Sequence, residues 1–223
     1  QKEREMLVGS SLAHLAKGDG NLALKYLLEI IRTKSDAAQL RKTILHLAVS
    51  GQLVPQDPSE GTGEELFTKI QAEKAKLIKE GKIKKQKPLP EISDDEIPFQ
   101  IPKTWKWARL SEIYRSITPI TKVKTTDILQ TGEYPVVDQG QRYIAGYVNT
   151  GKLNKISKPV TVFGDHTREI KLIDFDFIVG ADGVKILEPI IVDSEFLYLL
   201  VDVFRPSSRG YGRHFKMLND RIV

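Results

Sequence analysis

The chain has 223 residues, a hydrophobic fraction of 40% and a formal net charge of +5 at pH 7. It contains no cysteine, which excludes disulfides and thiolate metal sites and fits a reducing cytoplasm. No apolar run approaches the roughly 18 to 20 residues of a membrane-spanning helix, so we expect a soluble chain without membrane partners. The charge is compatible with a polyanionic partner without being diagnostic of one. Because the sequence starts with Gln1 inside a charged segment, we expect a fragment of a longer protein.

Helix-forming residues dominate the start of the sequence. Apolar side chains recur at helical spacing over residues 3–34 and are interrupted by Gly-Asp-Gly at 18–20, which predicts a helical pair. The string at 18–23 also matches a dinucleotide-binding fingerprint, but that motif needs a preceding strand so that phosphates meet a helix N-terminus. Since a helical segment precedes it here, an inter-helix turn is the favoured interpretation.

Two further helices are expected before residue 88. The first has Ser35 or Asp36 as its N-cap and stops at Gly51, because prolines follow. The second begins with a capping box of Thr62 and Glu65 and ends near residue 81. A lysine run covers its end, and such a run is usually a solvated face that also suits a helix C-terminus, so we do not expect it to contact a polyanion such as DNA. The run consists of Lys74, Lys76, Lys79, Lys82, Lys84, Lys85 and Lys87.

The second half of the sequence is strand-rich. Prolines predict an extended linker at 88–104, since proline locks its own φ and restricts the residue before it. Short β-like runs then alternate with turn residues, and one strong helix follows at 194–204. The expected strands cover residues 134–137, 143–148, 160–163, 169–173, 177–179 and 184–187. The predicted fold class is α+β, with a helical region at 1–87, the linker at 88–104 and a globular strand-rich domain at 105–223.

One set of residues resembles a nuclease site. Glu169 and Lys171 form an acid-x-lysine triplet, and Asp138 lies upstream, so together they could hold Mg²⁺ and steady an attacking water. Such triplets arise by chance in charged chains, and a strand of alternating polarity explains this one equally well. A Mg²⁺-dependent DNA nuclease domain therefore remains the alternative hypothesis.

Other catalytic or metal signatures are missing from the sequence. The four histidines are scattered, with no pair at the i, i+4 spacing of a helical zinc site. The sequence has no P-loop, no Gly-x-Ser-x-Gly elbow and no Asn/Asp-Pro-Pro-aromatic signature of an amino-methyltransferase. We therefore expect a chain that is not an enzyme and that carries no catalytic residues, metal or cofactor of its own.

Three polar loops contain side chains that suit DNA. Lysine neutralises phosphates without reading sequence, whereas glutamine pairs with adenine and arginine with guanine in the major groove. The null hypothesis is that these are ordinary solvated loops. The candidate DNA-binding residues are Lys122, Lys124, Gln139, Gln141, Arg142, Tyr143, His166, Thr167, Arg168, Arg209, Tyr211, Arg213 and His214.

Three long strings carry a family resemblance. They are LRKTILHLAVSGQLVPQDP at 40–58, AEKAKLIKEGKIKKQKPLP at 72–90 and IPFQIPKTWKWARL at 97–110. These strings closely resemble the region that leads into a target-recognition domain in type I restriction-modification specificity (S) subunits, and Ile-Ala-Gly-Tyr at 144–147 resembles a turn that recurs in that family. Residues 162–168 depart from the glycine-serine-rich loop of many relatives, so base contacts cannot be transferred residue by residue.

The resemblance implies a DNA-recognition subunit. Family members carry two recognition domains, each reading half of a bipartite site on double-stranded DNA, and only one such unit is present here. They bind methyltransferase (M) subunits, which hold S-adenosylmethionine and flip the target adenine, and restriction (R) subunits. The resemblance thus implies that residues before 81 dock these partners, that the lysine run at 74–87 lies at the connection to them, and that residues 105–223 read DNA. A helical scaffold whose globular part binds protein is a third hypothesis.

Overall fold

The structure is a computed structural model that describes residues 33–85, 87–207 and 214–223, together with Met6, Ser10 and Ile31. Its helices are α1 (Lys34–Val49), α2 (Gly63–Lys79), α3 (Leu110–Ile113), α4 (Ser194–Phe204) and α5 (His214–Asn219). Its strands are β1 (Tyr114–Ile117), β2 (Lys122–Val123), β3 (Tyr134–Val137), β4 (Gly146–Val148), β5 (Val160–Gly164), β6 (Ile170–Ile173), β7 (Ile178–Gly180) and β8 (Val184–Pro189). These elements confirm the α+β class.

The described residues form two compact units. The first comprises those up to Leu66 together with Ser93–Lys106, and the second comprises Phe67–Ile92 and Trp107–Val223. The division into 1–87, 88–104 and 105–223 stays a prediction. The helical pair expected at 3–34 lies almost wholly outside the described residues. No helix in the described ranges is long and apolar enough to cross a membrane.

The first unit contains α1 and the start of α2. Thr33, and neither Ser35 nor Asp36, is the N-cap of α1, because the Thr33 hydroxyl accepts from the Asp36 N–H at 3.2 Å and the Asp36 carboxylate accepts from the Thr33 N–H at 2.8 Å. The N-cap prediction was therefore wrong by two or three positions. The predicted stop of α1 at Gly51 is confirmed, since that residue has a φ of +68°.

The capping box predicted for α2 is present. The Glu65 N–H donates to the Thr62 hydroxyl at 3.2 Å, and the Thr62 N–H donates to the Glu65 carboxylate at 3.2 Å. In the same unit the residues expected as an extended linker pack back on α1, where the Phe99 ring meets the His46 ring edge-on at 5.0 Å. The Trp105 indole donates to the Gln56 side chain at 2.6 Å.

The second unit is built on two four-stranded sheets. One sheet has the order β1-β8-β5-β6 and is antiparallel throughout, while the other has the order β2-β7-β3-β4 and includes the parallel pairs β2 with β7 and β3 with β7. An apolar cluster between the sheets combines Val137 and Val179 of the mixed sheet with Val162 and Ile186 of the antiparallel one. Apolar burial between these strands, at about 25 cal/mol per Å², stabilises the pair of sheets.

The predicted strands and helix agree with the structure to different degrees. The bounds 134–137 and 194–204 are confirmed, whereas the strand expected at 143–148 is shorter and begins at Gly146. Residues 141–144 form a loop instead, and the Tyr143 hydroxyl donates to the Leu172 carbonyl at 2.6 Å. The strands β1 and β2 were not predicted, because each is short and polar and is held by pairing with distant β8 or β7.

Candidate nucleic-acid interface

Three loops converge at one end of the two sheets. Since β3 and β7 are parallel neighbours, with Val137 opposite Val179, both strands end at the same edge. In the antiparallel sheet Gly164, the last residue of β5, lies opposite Val184, the first of β8. The loops that follow β3 and β5 and the loop that precedes β8 therefore meet, and we name them the loop cluster. It comprises residues 138–142, 164–168 and 181–183.

Gln139 ties the three loops together. Its side-chain carbonyl accepts from the His166 N–H at 3.2 Å, and its amide NH₂ donates to the Asp182 carbonyl at 3.1 Å. Its backbone carbonyl accepts from the Thr167 hydroxyl at 2.6 Å. A carboxamide has two donor hydrogens and an oxygen with two lone pairs, so about half of its capacity is used inside the protein. The side chain predicted to read adenine is thus also a cross-link between loops.

A buried lysine anchors the first loop. The Lys171 side chain, which is 5% exposed, donates to the Asp138 carbonyl at 2.8 Å and contacts the Asp138 carboxylate at 3.3 Å. That carboxylate also accepts from the Gly140 N–H at 2.8 Å. Burial lowers the pKa of Lys171, and the neighbouring Asp138 carboxylate opposes this shift. Because Lys171 lies on β6 and Asp138 follows β3, the contact joins the two sheets.

The same contact bears on the nuclease hypothesis. The Lys171 ammonium donates to two oxygens of Asp138 within the protein, which gives it a structural partner in place of a water. Within the ranges that the structure describes, no group of three His, Cys, Asp or Glu side chains is arranged to hold a metal ion. No observation in the loop cluster favours the hypothesis over a purely structural role for these residues.

The loops approach one another closely at two glycines. A Cβ on Gly164 would lie 2.3 Å from the Thr167 hydroxyl oxygen and 2.8 Å from the Gln139 Cβ. Gly183 has a φ of +87°, and a Cβ there would lie 2.8 Å from the Gln139 side-chain oxygen. A Cβ at Gly164 would require the chain near Gln139 to move, whereas a Cβ at Gly183 would displace the Gln139 carboxamide and would also be strained by the positive φ. The loop cluster is therefore packed around Gln139 as well as hydrogen-bonded to it.

Two other loop positions carry backbone strain. Arg168 and Ala181 have φ values of 63° and 59°, in the left-handed region that costs a non-glycine residue about 1–2 kcal/mol. Strain of this kind persists only where contacts with the surrounding structure hold the backbone in place. At Ala181 the N–H donates to the Val123 carbonyl at 2.7 Å, which fixes the loop to β2.

Several predicted DNA contacts face solvent. Lys124, Gln141 and Arg142 are exposed, and none of their side chains has a hydrogen bond or ion pair with another described residue. Arg142 lines an open cleft of about 400 Å³ together with Tyr147. Lys122 is half exposed and pairs with Asp182 at 2.9 Å, and this bond holds the pKa of the Asp182 carboxyl below its usual value. Among the described residues, Arg142, Gln141 and Lys124 therefore keep the whole hydrogen-bonding capacity of their side chains for a ligand.

The other predicted contacts are partly committed to the protein. The Thr167 hydroxyl bonds to the Gln139 carbonyl, the half-buried His166 donates its N–H to Gln139, and the Arg168 guanidinium donates to the Pro206 carbonyl at 3.4 Å. The Tyr143 ring is 50% exposed and packs edge-on against Phe175 at 5.9 Å. Burial raises the pKa of the Tyr143 hydroxyl, and nearby Asp174 adds to that shift.

The last predicted residue group is split by the described ranges. Arg209, Tyr211 and Arg213 lie outside the described residues. His214, expected in a loop, is instead the first residue of α5 and is 4% exposed. Its Nδ1 lies 2.8 Å from the Asp165 carbonyl oxygen, and the Phe215 N–H donates to the Asp165 carboxylate at 2.8 Å. These bonds attach α5 to the second loop of the cluster, so in this structure the imidazole faces the interior.

Sequence reasoning missed the anchoring roles of Asp165 and Lys171. A signal for Lys171 was present, because it stands two positions before Ile173 on β6 and thus shares the buried face of that strand. A lysine on a buried face needs a partner, which here is Asp138. For Asp165 the sequence carried no such signal, since its partners are about 50 residues away in α5.

Comparison with known proteins points to one class. No protein-family model matches the chain. The chain is 55% identical over 85 residues to the specificity subunit of the Escherichia coli type I restriction enzyme EcoAI, which covers 38% of this chain and 14% of that protein. It is 49% identical over 89 residues to the EcoEI specificity subunit of E. coli, which covers 40% of this chain and 15% of that protein. These matches confirm the resemblance to type I specificity subunits, although the chain matches only about a seventh of their length.

A third relative and two solved structures bear the same description. The chain is 37% identical over 86 residues to the EcoR124I/EcoR124II specificity subunit of E. coli, covering 37% of this chain and 21% of that protein. It is similar to the crystal structure of a type I S subunit from M. genitalium, with a TM-score of 0.40, 13% identity, and coverage of 56% of this chain and 35% of that one. The HsdS subunit from Thermoanaerobacter tengcongensis gives a TM-score of 0.38 at 14% identity, covering 56% and 34%.

Proposed function

We propose that this chain is the sequence-reading part of a type I restriction enzyme specificity subunit, and that it binds one half of a bipartite site on double-stranded DNA. The observation that carries the proposal is the 55% identity over 85 residues to a specificity subunit. The chain acts without catalysis of its own, in the bacterial cytoplasm. Methylation and cleavage are performed by M subunits, which hold S-adenosylmethionine, and by R subunits that dock on the helical region before residue 81.

The loop cluster is the proposed reading surface. Arg142 and Gln141 present free guanidinium and carboxamide groups, which pair bidentately with guanine and adenine in the major groove. Lys122 and Lys124 contribute phosphate contacts, which position the protein on the duplex without reading sequence. Gln139 and Lys171 support the proposal indirectly, because their internal bonds hold the loops before DNA arrives. Preorganised loops lose less conformational entropy on binding.

The proposal predicts different effects for two exposed cations, Arg142 in the loop cluster and Lys124 outside it. Arg142→Ala removes a bidentate base contact and should cost about 1–3 kcal/mol on the preferred sequence only, thereby relaxing specificity at one base pair. Lys124→Ala removes a phosphate contact, so it should weaken all sequences alike and lower the salt slope by about 1. The measurement is methylation by the complex with M subunits on a library of duplexes. Equal losses on every sequence for both variants would refute these roles.

The whole proposal is tested by the wild-type complex. If the chain and its M partner methylate DNA without sequence preference, the chain is not a sequence reader. Incubation of the chain alone with Mg²⁺ and plasmid tests the nuclease hypothesis. Cleavage of the plasmid would support that hypothesis. A protein-binding scaffold would be favoured if the assembled complex left no footprint on DNA.

A further inference from the structure

A second basic surface lies in the strand-rich unit, away from the side chains assigned above. An open cleft of about 650 Å³ runs between the end of α2, the segment that follows it, and β1. Its lining includes one acidic side chain, Glu112, and six cationic ones. The cationic side chains are Lys74, Lys82, Lys84, Lys85, Lys87 and Arg115, and we name this surface the lysine cleft.

Half of these cations are compensated inside the protein. Arg115 pairs with the Glu188 carboxylate, and Lys82 pairs with Glu80 at 2.7 Å. The Lys74 ammonium donates to the Ser111 carbonyl at 3.2 Å, and burial lowers its pKa.

The other three cations are uncompensated. Lys84, Lys85 and Lys87 are exposed, and none has a hydrogen bond or ion pair with another described residue. Three free ammonium groups that line one cleft repel each other and favour a polyanion. Lys84, Lys85 and Lys87 lie beyond the end of α2 and so are not a solvated helix face, which removes the reason for the expectation that the lysine run does not contact DNA.

The position of the lysine cleft relative to the loop cluster indicates which polyanion it fits. β1 is an edge strand that pairs with β8, and Ile117 at the end of β1 lies opposite Ile186. Ile186 is three residues after Gly183 of the loop cluster. Ile117 stands between the cleft residues Ser116 and Thr118, so the β1 wall of the cleft lies roughly 10 Å along β8, at about 3.3 Å per residue, and one strand spacing of about 4.8 Å across the sheet from the cluster. A duplex carries one phosphate charge per about 1.7 Å of its axis, so a duplex seated on the cluster also presents phosphates at this distance.

We propose that the lysine cleft binds phosphates of the DNA backbone beside the groove that the loop cluster reads. This inference rests on the proposed function, because it needs a duplex seated on the cluster. Lysine suits this role, since its ammonium is a compact, strongly hydrated point charge on a flexible stem that meets phosphates of any sequence. The cleft supplies affinity that falls with salt, and the cluster supplies sequence preference.

The test compares two triple variants of the 223-residue chain that remove the same charge. The cleft variant, Lys84→Ala/Lys85→Ala/Lys87→Ala, removes the three free lysines of the lysine cleft. The control variant, Lys69→Ala/Lys76→Ala/Lys152→Ala, removes three exposed lysines that do not line it. Binding to a mixed-sequence duplex is followed by fluorescence anisotropy between about 50 and 300 mM KCl, roughly a sixfold range of salt concentration. Each phosphate contact contributes about 0.9 to the slope of log K against log salt, so the cleft variant should lose about 2 to 3 and the control under 1.

Each result decides the proposal. If the salt slope of the cleft variant equals that of the control variant, the proposal for the lysine cleft is overturned. The proposed function would still stand in that case if Arg142→Ala relaxes sequence specificity. No binding of the wild-type chain to any duplex, alone or with M subunits, overturns both. A cleft variant that keeps its DNA slope but loses binding to a polyglutamate peptide overturns the DNA assignment in favour of an acidic protein segment. Circular dichroism confirms that both variants are folded.

Discussion

The link between Lys171 and Asp138 allows a quantitative test of how the loop cluster is held. Lys171→Met keeps the aliphatic volume on the buried face of β6 but removes the ammonium that bonds to the Asp138 carbonyl and carboxylate. Both oxygens then lose a charged donor, although the carboxylate keeps its bond from the Gly140 N–H.

The expected cost follows from burial. Removing one partner of a fully buried ion pair costs about 3–5 kcal/mol, and a hydrogen bond to a charged group contributes about 1.5–3 kcal/mol. The Asp138 side chain is 26% exposed, so water replaces part of the lost interaction. We therefore expect a loss of about 2 kcal/mol in the free energy of unfolding.

Urea denaturation measures this loss. With a slope near 2 kcal/mol per M, typical of a chain of this size, the midpoint should fall by about 1 M. Lys152→Met is the matched control, because Lys152 is exposed, and its midpoint should stay within about 0.2 M of wild type. A cycle with Asp138→Asn should show a coupling of at least about 1 kcal/mol. Additive effects of the two substitutions, or equal midpoints for Lys171→Met and the control, would refute the anchoring role.

Two further predictions concern the packing of the loop cluster. Gln139→Ala should raise hydrogen exchange in residues 164–168 and 181–183 with little change in the sheets, because the bonds to His166 and Asp182 are lost; unchanged exchange in both loops would contradict the cross-link. Gly164→Ala should destabilise the chain by about 1–3 kcal/mol in urea denaturation, since its Cβ would lie 2.3 Å from the Thr167 oxygen. Gly164 does not have a left-handed φ, so its loss measures the close contact alone, whereas Gly81→Ala, with a φ of +71° and nothing within 4 Å, measures backbone strain alone and should cost about 1 kcal/mol; an unchanged midpoint for Gly164→Ala would contradict the close packing of the loops.

The sequence predicted those elements whose signals are local. The bounds of β3 and α4 were correct because each is an apolar run with turn or capping residues on both sides, such as Asp193, which caps α4. The strands β1 and β2 escaped detection, since Arg115 and Lys122 give no alternating pattern and their pairing is set by distant strands. Thr33 was overlooked as a cap although its partner Asp36 is only three residues away.

The candidate site was predicted as a set of loops but not as a connected surface. Gln139 was singled out for its side-chain chemistry, yet its partners His166 and Asp182 stand 27 and 43 positions later in the chain. No window of sequence contains such a contact. The division between side chains that hold the loops and side chains that face outward therefore needed the fold, in particular the shared edge of β3 and β7.

The bonds that hold the loop cluster end largely on main-chain atoms: the carbonyls of Asp138, Gln139 and Asp182 are acceptors, and the His166 N–H is a donor. Main-chain atoms persist through any substitution at exposed positions such as Gln141 and Arg142. Single exchanges at these two positions should therefore leave the scaffold of the loop cluster in place, so that stability places little constraint on which side chains the tips carry.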